Sequence, residues 1–144
     1  MVGADGGHRA AGWLRDSRLG AGVAGLLDVV WVLVFVSIGR TSHTEGLTVA
    51  GLARTAWPFL VGLAVAWTAA RAWRAPAALV PTGVVVWPVC VAVAMGLRAV
   101  SGQGVATAFI GVALAFLGLG LLGWRALGHL VPTGAGTDGP AGES

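Results

Sequence analysis

Twenty consecutive residues, Leu19 to Ile38, are apolar or small except for Asp28 at the tenth position. An α-helix of that length rises ~30 Å at ~1.5 Å per residue, which is the thickness of a bilayer's hydrocarbon core. Behind the run come Arg40 and His43, which mark a return to a polar surface. A membrane helix carrying one carboxylate near its middle is the expectation that constrains everything else.

The remainder of the chain fits that solvent. Of 144 residues, 56% are hydrophobic and 10% charged, against about a quarter charged in soluble domains. A water-soluble core of this composition would have almost nothing polar to cover it. The net charge of +3 comes from nine arginines and no lysine. They stand at the ends of apolar runs and do not gather on one face, which argues for membrane orientation signals and against nucleic acid. Cys90, the one cysteine, lies in an apolar run and reads as a small buried hydrophobe.

Three more apolar runs follow. The second extends from Leu47 to Ala70 and contains Arg54 and Trp57-Pro58; Pro58 should kink it near its start or mark its first turn. The third and fourth carry no charge and are closed by Arg98 and Arg125. The spacing predicts an all-α, polytopic membrane protein with four transmembrane helices, at about 19–38, 49–70, 77–97 and 105–124. The connections of six to eight residues force neighbouring helices antiparallel. Residues 1–18 are expected as a cytoplasmic N-terminal tail, 19–126 as the four-helix domain, and 127–144 as a disordered cytoplasmic tail. A basic start before an apolar run also fits a cleaved leader. This run is longer than roughly 7–15 residues and has no small-x-small site before Arg40, so a retained helix is expected. Six arginines (9, 15, 18, 71, 74 and 125) fall on one side and three (40, 54 and 98) on the other, which predicts a multi-pass protein of the cell membrane with both termini in the cytoplasm.

Gly20-x-Gly22-x-x-Gly25 and Gly118-x-Gly120-x-x-Gly123 match a dinucleotide fingerprint. That motif works only between a strand and a helix; inside membrane-length runs these are packing glycines. Small residues four apart, as in Ala21/Gly25, Gly62/Ala66, Ala92/Gly96 and Gly111/Ala115, point to close helix packing. Six of the seven tryptophans, all but Trp31, stand near run ends or beside Pro or Arg and read as an interfacial belt.

Histidines 8, 43 and 129 fall in the N-tail, the outer connection and the C-tail, so no metal site is expected. No embedded Ser–His pair or second embedded acid exists, and neither an enzyme nor a cofactor is expected. Two polar groupings remain. Asp28, with Arg54 and Arg98 as its partners, is the candidate intramembrane site, either handling a proton or ion or tying helices together through a bond to Thr68 or a backbone carbonyl. Arg40, His43, Glu45, Arg54 and Arg98, with Gln103 close by, form a candidate outer-face anion site, against the plainer reading of snorkelling and capping.

Asp28 leading into VLVFVSIGRTSH, then AWPFLVGLAVAW, PTGVVVW, Arg98 and the closing LLGWRAL together resemble the domain of unknown function 3054 family, over about residues 22–127. The resemblance implies a small four-helix integral membrane protein and supplies no activity, substrate or cofactor. It adds weight to Asp28, Arg40, His43, Pro58, Phe59, Arg98, Trp124 and Arg125, which match family positions. The functional expectation is a binding or permeation unit for a small solute, anion or proton. Its rival is a structural or accessory subunit packed against a larger membrane protein. The partners expected are the lipid bilayer, a second copy or that larger protein, and no nucleic acid.

Overall fold

The computed structural model of the chain describes residues 17–41 and 46–130, with side chains from residue 20 onward. Four long helices make up the bundle: α1 (Ser17–Thr41), α2 (Val49–Ala70), α3 (Val84–Val100) and α4 (Thr107–Leu130). No strand occurs among the described residues. The chain enters α3 through a kinked segment, Leu79–Gly83, in which Val80 is extended (φ −119°, ψ 129°), and the apolar span covers Leu79–Val100. Each helix packs on its neighbours in chain order, and α4 returns to α1 to close a ring.

The four spans have mean hydropathies of 1.5 to 2.3, yet only 22–39% of each is buried inside the protein. Exposed positions such as Leu26, Val30, Val61, Val112 and Leu119 are as apolar as the core. A helix that is apolar all round and buried on one side suits lipid on the other. The molecule is a multi-pass membrane protein.

Local chemistry sets the elements. Thr48 caps α2, its Oγ1 accepting from the Gly51 amide at 3.1 Å. Pro58 is buried in the third turn of α2, not its first. Having no N–H, it leaves the carbonyl of Arg54, four residues back, without its helical donor. Gln103 Nε2 donates to that oxygen at 3.0 Å and pins the α3–α4 connection to α2. Helices α2 and α3 approach most closely at Gly62, where a Cβ would lie 2.6 Å from the Cys90 carbonyl oxygen.

Three sequence expectations are corrected. Helix α4 does not stop at residue 124 but runs to Leu130, because Arg125 turns inward and marks no membrane edge. His129 therefore belongs to the last turn of α4. Of the described tryptophans read as a belt, Trp57 and Trp73 are exposed, whereas Trp67, Trp87 and Trp124 donate hydrogen bonds within the bundle. Trp31 Nε1 donates to the Phe116 carbonyl and Trp87 Nε1 to that of Leu114, both at 2.9 Å. These indoles sit against the places where Cβ atoms on Gly120 and Gly118 would be, which explains two of the three glycines of that second motif; Gly123 has nothing within 4 Å. Of the small-residue pairs, Gly62 and Ala66 are buried between helices, whereas Ala92, Gly96, Gly111 and Ala115 face outward. The expected N-terminal tail up to residue 16, and the C-terminal tail from 131, lie outside the described residues.

Candidate functional site

Polar side chains gather at two levels of the bundle. At the first, Asp28 occupies the inward face of α1 with Ala24, Val32 and Phe35, at helical spacing. Its partner is Arg125 of α4, and both side chains are completely buried. The pair is bidentate: Nη1 reaches Oδ1 at 3.0 Å and Nη2 reaches Oδ2 at 2.8 Å. Two indoles complete the carboxylate, Trp124 Nε1 donating to Oδ1 at 2.8 Å and Trp67 Nε1 to Oδ2 at 2.9 Å.

Arg125 is equally engaged. Its Nε donates to the Pro76 carbonyl at 3.0 Å and its Nη1 to that of Leu121 at 2.7 Å, while the guanidinium lies 4.4 Å from the Trp124 ring centroid. Gly83 leaves room for its stem, since a Cβ there would lie 3.1 Å from Arg125 Cδ. Charges taken out of water are tolerated only when geometry and hydrogen bonds are this complete. One ion pair thus joins α1, α2, α4 and the connection before α3. Asp28 accepts four hydrogen bonds, all from permanent donors, so it has no open position for an ion or a water.

Arg54 and Arg98, expected beside Asp28, are not there. They line a second site, toward the other end of the bundle, together with Arg40 and Gln103. Of the two groupings the sequence offers for Arg54 and Arg98, the geometry keeps the outer-face one, and Asp28 takes Arg125 instead. Glu45 of that outer set lies outside the described residues. Thr68, offered as a partner for Asp28, bonds the Ala64 carbonyl in its own helix. His43 lies outside the described residues.

The second site is a cavity of about 780 Å³. Arg40 reaches it from α1, donating from Nη1 to Thr55 Oγ1 at 3.1 Å and from Nη2 to the Gly46 carbonyl at 3.2 Å. Gly51 makes space for that guanidinium. Arg98 ends α3, its Nη1 on Gln103 Oε1 at 3.1 Å and its guanidinium 4.5 Å from the Phe109 ring centroid. Its Nε is buried with no hydrogen-bond acceptor among the described residues. Arg54 is exposed at the rim. Three guanidiniums thus line one concavity, with no acidic lining residue among the described residues.

Below them, Phe35, Phe59 and Phe109 form the floor, their centroids 5.2–6.2 Å apart. Beneath these rings the core is dry: Val32, Leu63, Ala66, Cys90, Leu117 and Leu121 are all buried.

Sequence reasoning missed Arg125, Trp67 and Trp124 as one unit with Asp28. The available signal was Trp124-Arg125 at the end of an uncharged span, where a basic residue reads first as a boundary. No curated protein and no solved structure matches the chain. The model of the family described as "Protein of unknown function (DUF3054)" matches residues 25–128, which takes in Asp28, Trp67, Trp124, Arg125 and the whole cavity, and the chain belongs to that family.

Proposed function

We propose that this protein binds an anion at the outer face of the cell membrane, in the cavity of Arg40, Arg54, Arg98 and Gln103, with both termini in the cytoplasm. The observation that carries the reading is three arginines and Gln103 lining one concavity, with Arg98 Nε buried and without an acceptor among the described residues. An anion between the guanidiniums accepts charge-assisted hydrogen bonds from them. The dry core below favours binding over permeation, because it offers a charged solute no polar path. The saturated Asp28 carboxylate speaks against a proton carrier at that position.

The orientation rests on the arginine count. With Arg125 buried, it no longer counts as a flanking charge. Five arginines (9, 15, 18, 71 and 74) remain on the terminal side against three (40, 54 and 98) on the other. That still favours cytoplasmic termini. The accessory-subunit reading draws on the outward stripe of Val84, Pro88, Ala92 and Gly96 on α3.

The test is calorimetric titration of methyl phosphate into the protein in maltoside detergent, beside an Arg54→Gln, Arg98→Gln variant. Saturable binding that the variant loses by about tenfold or more is expected, since each lost charged hydrogen bond is worth ~1.5–3 kcal/mol. Equal heats for the two proteins would remove the proposal.

A further inference from the structure

We infer that the ligand of the arginine cavity is an amphiphilic anion: one phosphate-sized head on an apolar body, not a bare inorganic ion. This deepens the anion-binding reading and rests on it. The cavity's size is the first reason. At about 780 Å³ it lies within the roughly 300–1,000 Å³ of sites that hold organic ligands, several times what a tetrahedral oxyanion fills.

The second reason is the division of its lining. The cationic groups stand at the end of the bundle, on the last turns of α1 and α3 and the early turns of α2. The floor is Phe35, Phe59 and Phe109, and one flank is Ala108 and Val112 of α4. A small hydrated anion would meet the arginines and leave the aromatic floor unused. A ligand with an apolar body uses both.

The third reason is where the cavity opens. Gly102 and Arg54, at the connection end, are exposed, and so are Ala108 and Val112 on the flank of α4. The flank of a membrane span faces lipid, so the cavity communicates both with the polar surface and with the hydrocarbon. An amphiphile lying at that boundary enters with its head already level with the guanidiniums. Arg98 Nε, buried without an acceptor among the described residues and backed by the Phe109 ring, stands where head and body meet.

Two sources share this chemistry: an anionic lipid of the outer leaflet and a water-soluble organic phosphate. The experiment is a titration of methyl, butyl and hexyl phosphate, which carry the same head, into the protein in maltoside detergent. A fully buried methylene multiplies affinity by about four, so hexyl phosphate is expected to bind at least about tenfold more tightly than methyl phosphate. Arg54→Gln alone, a change at an exposed side chain with no hydrogen bond among the described residues, should weaken the whole series and keep the fold. Hexyltrimethylammonium, with the same tail and the opposite charge, should not bind. Equal affinities along the series overturn the amphiphile and leave anion binding standing. Methyl phosphate bound no better by the wild type than by Arg54→Gln, Arg98→Gln overturns both. Nanodiscs of phosphatidylcholine with a minor share of phosphatidic acid then separate the sources. Phosphatidic acid retained in native mass spectra and displaced by hexyl phosphate assigns the lipid; hexyl phosphate binding without retention assigns the soluble phosphate.

Discussion

Replacing Asp28 by Asn leaves the shape of the buried cluster almost unchanged and removes its charge. The amide keeps one acceptor oxygen. Its NH₂ would face two donors, either Arg125 Nη1 and the Trp124 indole or Arg125 Nη2 and the Trp67 indole, depending on its orientation. Arg125 would stay fully buried without a counter-charge. Removing one partner of such a pair costs ~3–5 kcal/mol. Arg125→Met should cost a similar amount, since it strands the carboxylate and the Pro76 carbonyl. The double variant Asp28→Asn, Arg125→Met removes both charges and leaves the Pro76 carbonyl and one indole N–H without a partner, at ~1–3 kcal/mol each. It should therefore be less damaging than the sum of the singles, with a coupling energy of about 2–3 kcal/mol. Reversible unfolding in mixed maltoside and dodecyl sulfate micelles, followed by circular dichroism, measures all four corners of the cycle. Additivity within ~0.5 kcal/mol, or a loss below ~1 kcal/mol for Asp28→Asn, would refute the view that this pair holds the bundle together.

The indole donors make a smaller prediction of the same kind. Trp67→Phe deletes the donor to Oδ2 and the outer part of the indole that faces Gly25, so a loss of at least ~1.5–3 kcal/mol is expected in the same unfolding assay. Gly120→Ala should lower the yield of folded protein in size-exclusion chromatography, because its methyl would occupy the space of the Trp31 indole, and overpacking costs ~1–3 kcal/mol. Gly96→Ala, where nothing lies within 4 Å, should be neutral or stabilising by up to ~1 kcal/mol on helix propensity alone.

Much of this fold was legible because hydrocarbon imposes length. The four apolar runs fixed the number of helices and their order, and the helical spacing around Asp28 placed it inward. One error has a plain cause: a polar residue near the end of an apolar run reads as bordering water. Arg125 and Trp124 read as interfacial by position, yet they turn into the bundle because a carboxylate on another helix waits there. Arg54 and Arg98 read both as partners of that carboxylate and as outer-face residues, because distance along the sequence carries no information on which level of the bundle each reaches. Gln103 was named for its place near the arginines. Its tie to the Arg54 carbonyl depends on Pro58, a backbone consequence that a one-dimensional reading passes over.

The Asp28–Arg125 pair also sets a schedule for biosynthesis. Its members are 97 residues apart, so at 5–20 residues per second the first span enters the bilayer roughly 5–20 s before its counter-charge exists. During that interval the carboxylate needs a proton, a lipid head group or the wall of the insertion channel as company. Only when the fourth span arrives does the nascent chain close on itself. A ribosome that stalls after the third span leaves an orphaned acid in the membrane, a ready mark for quality-control proteolysis.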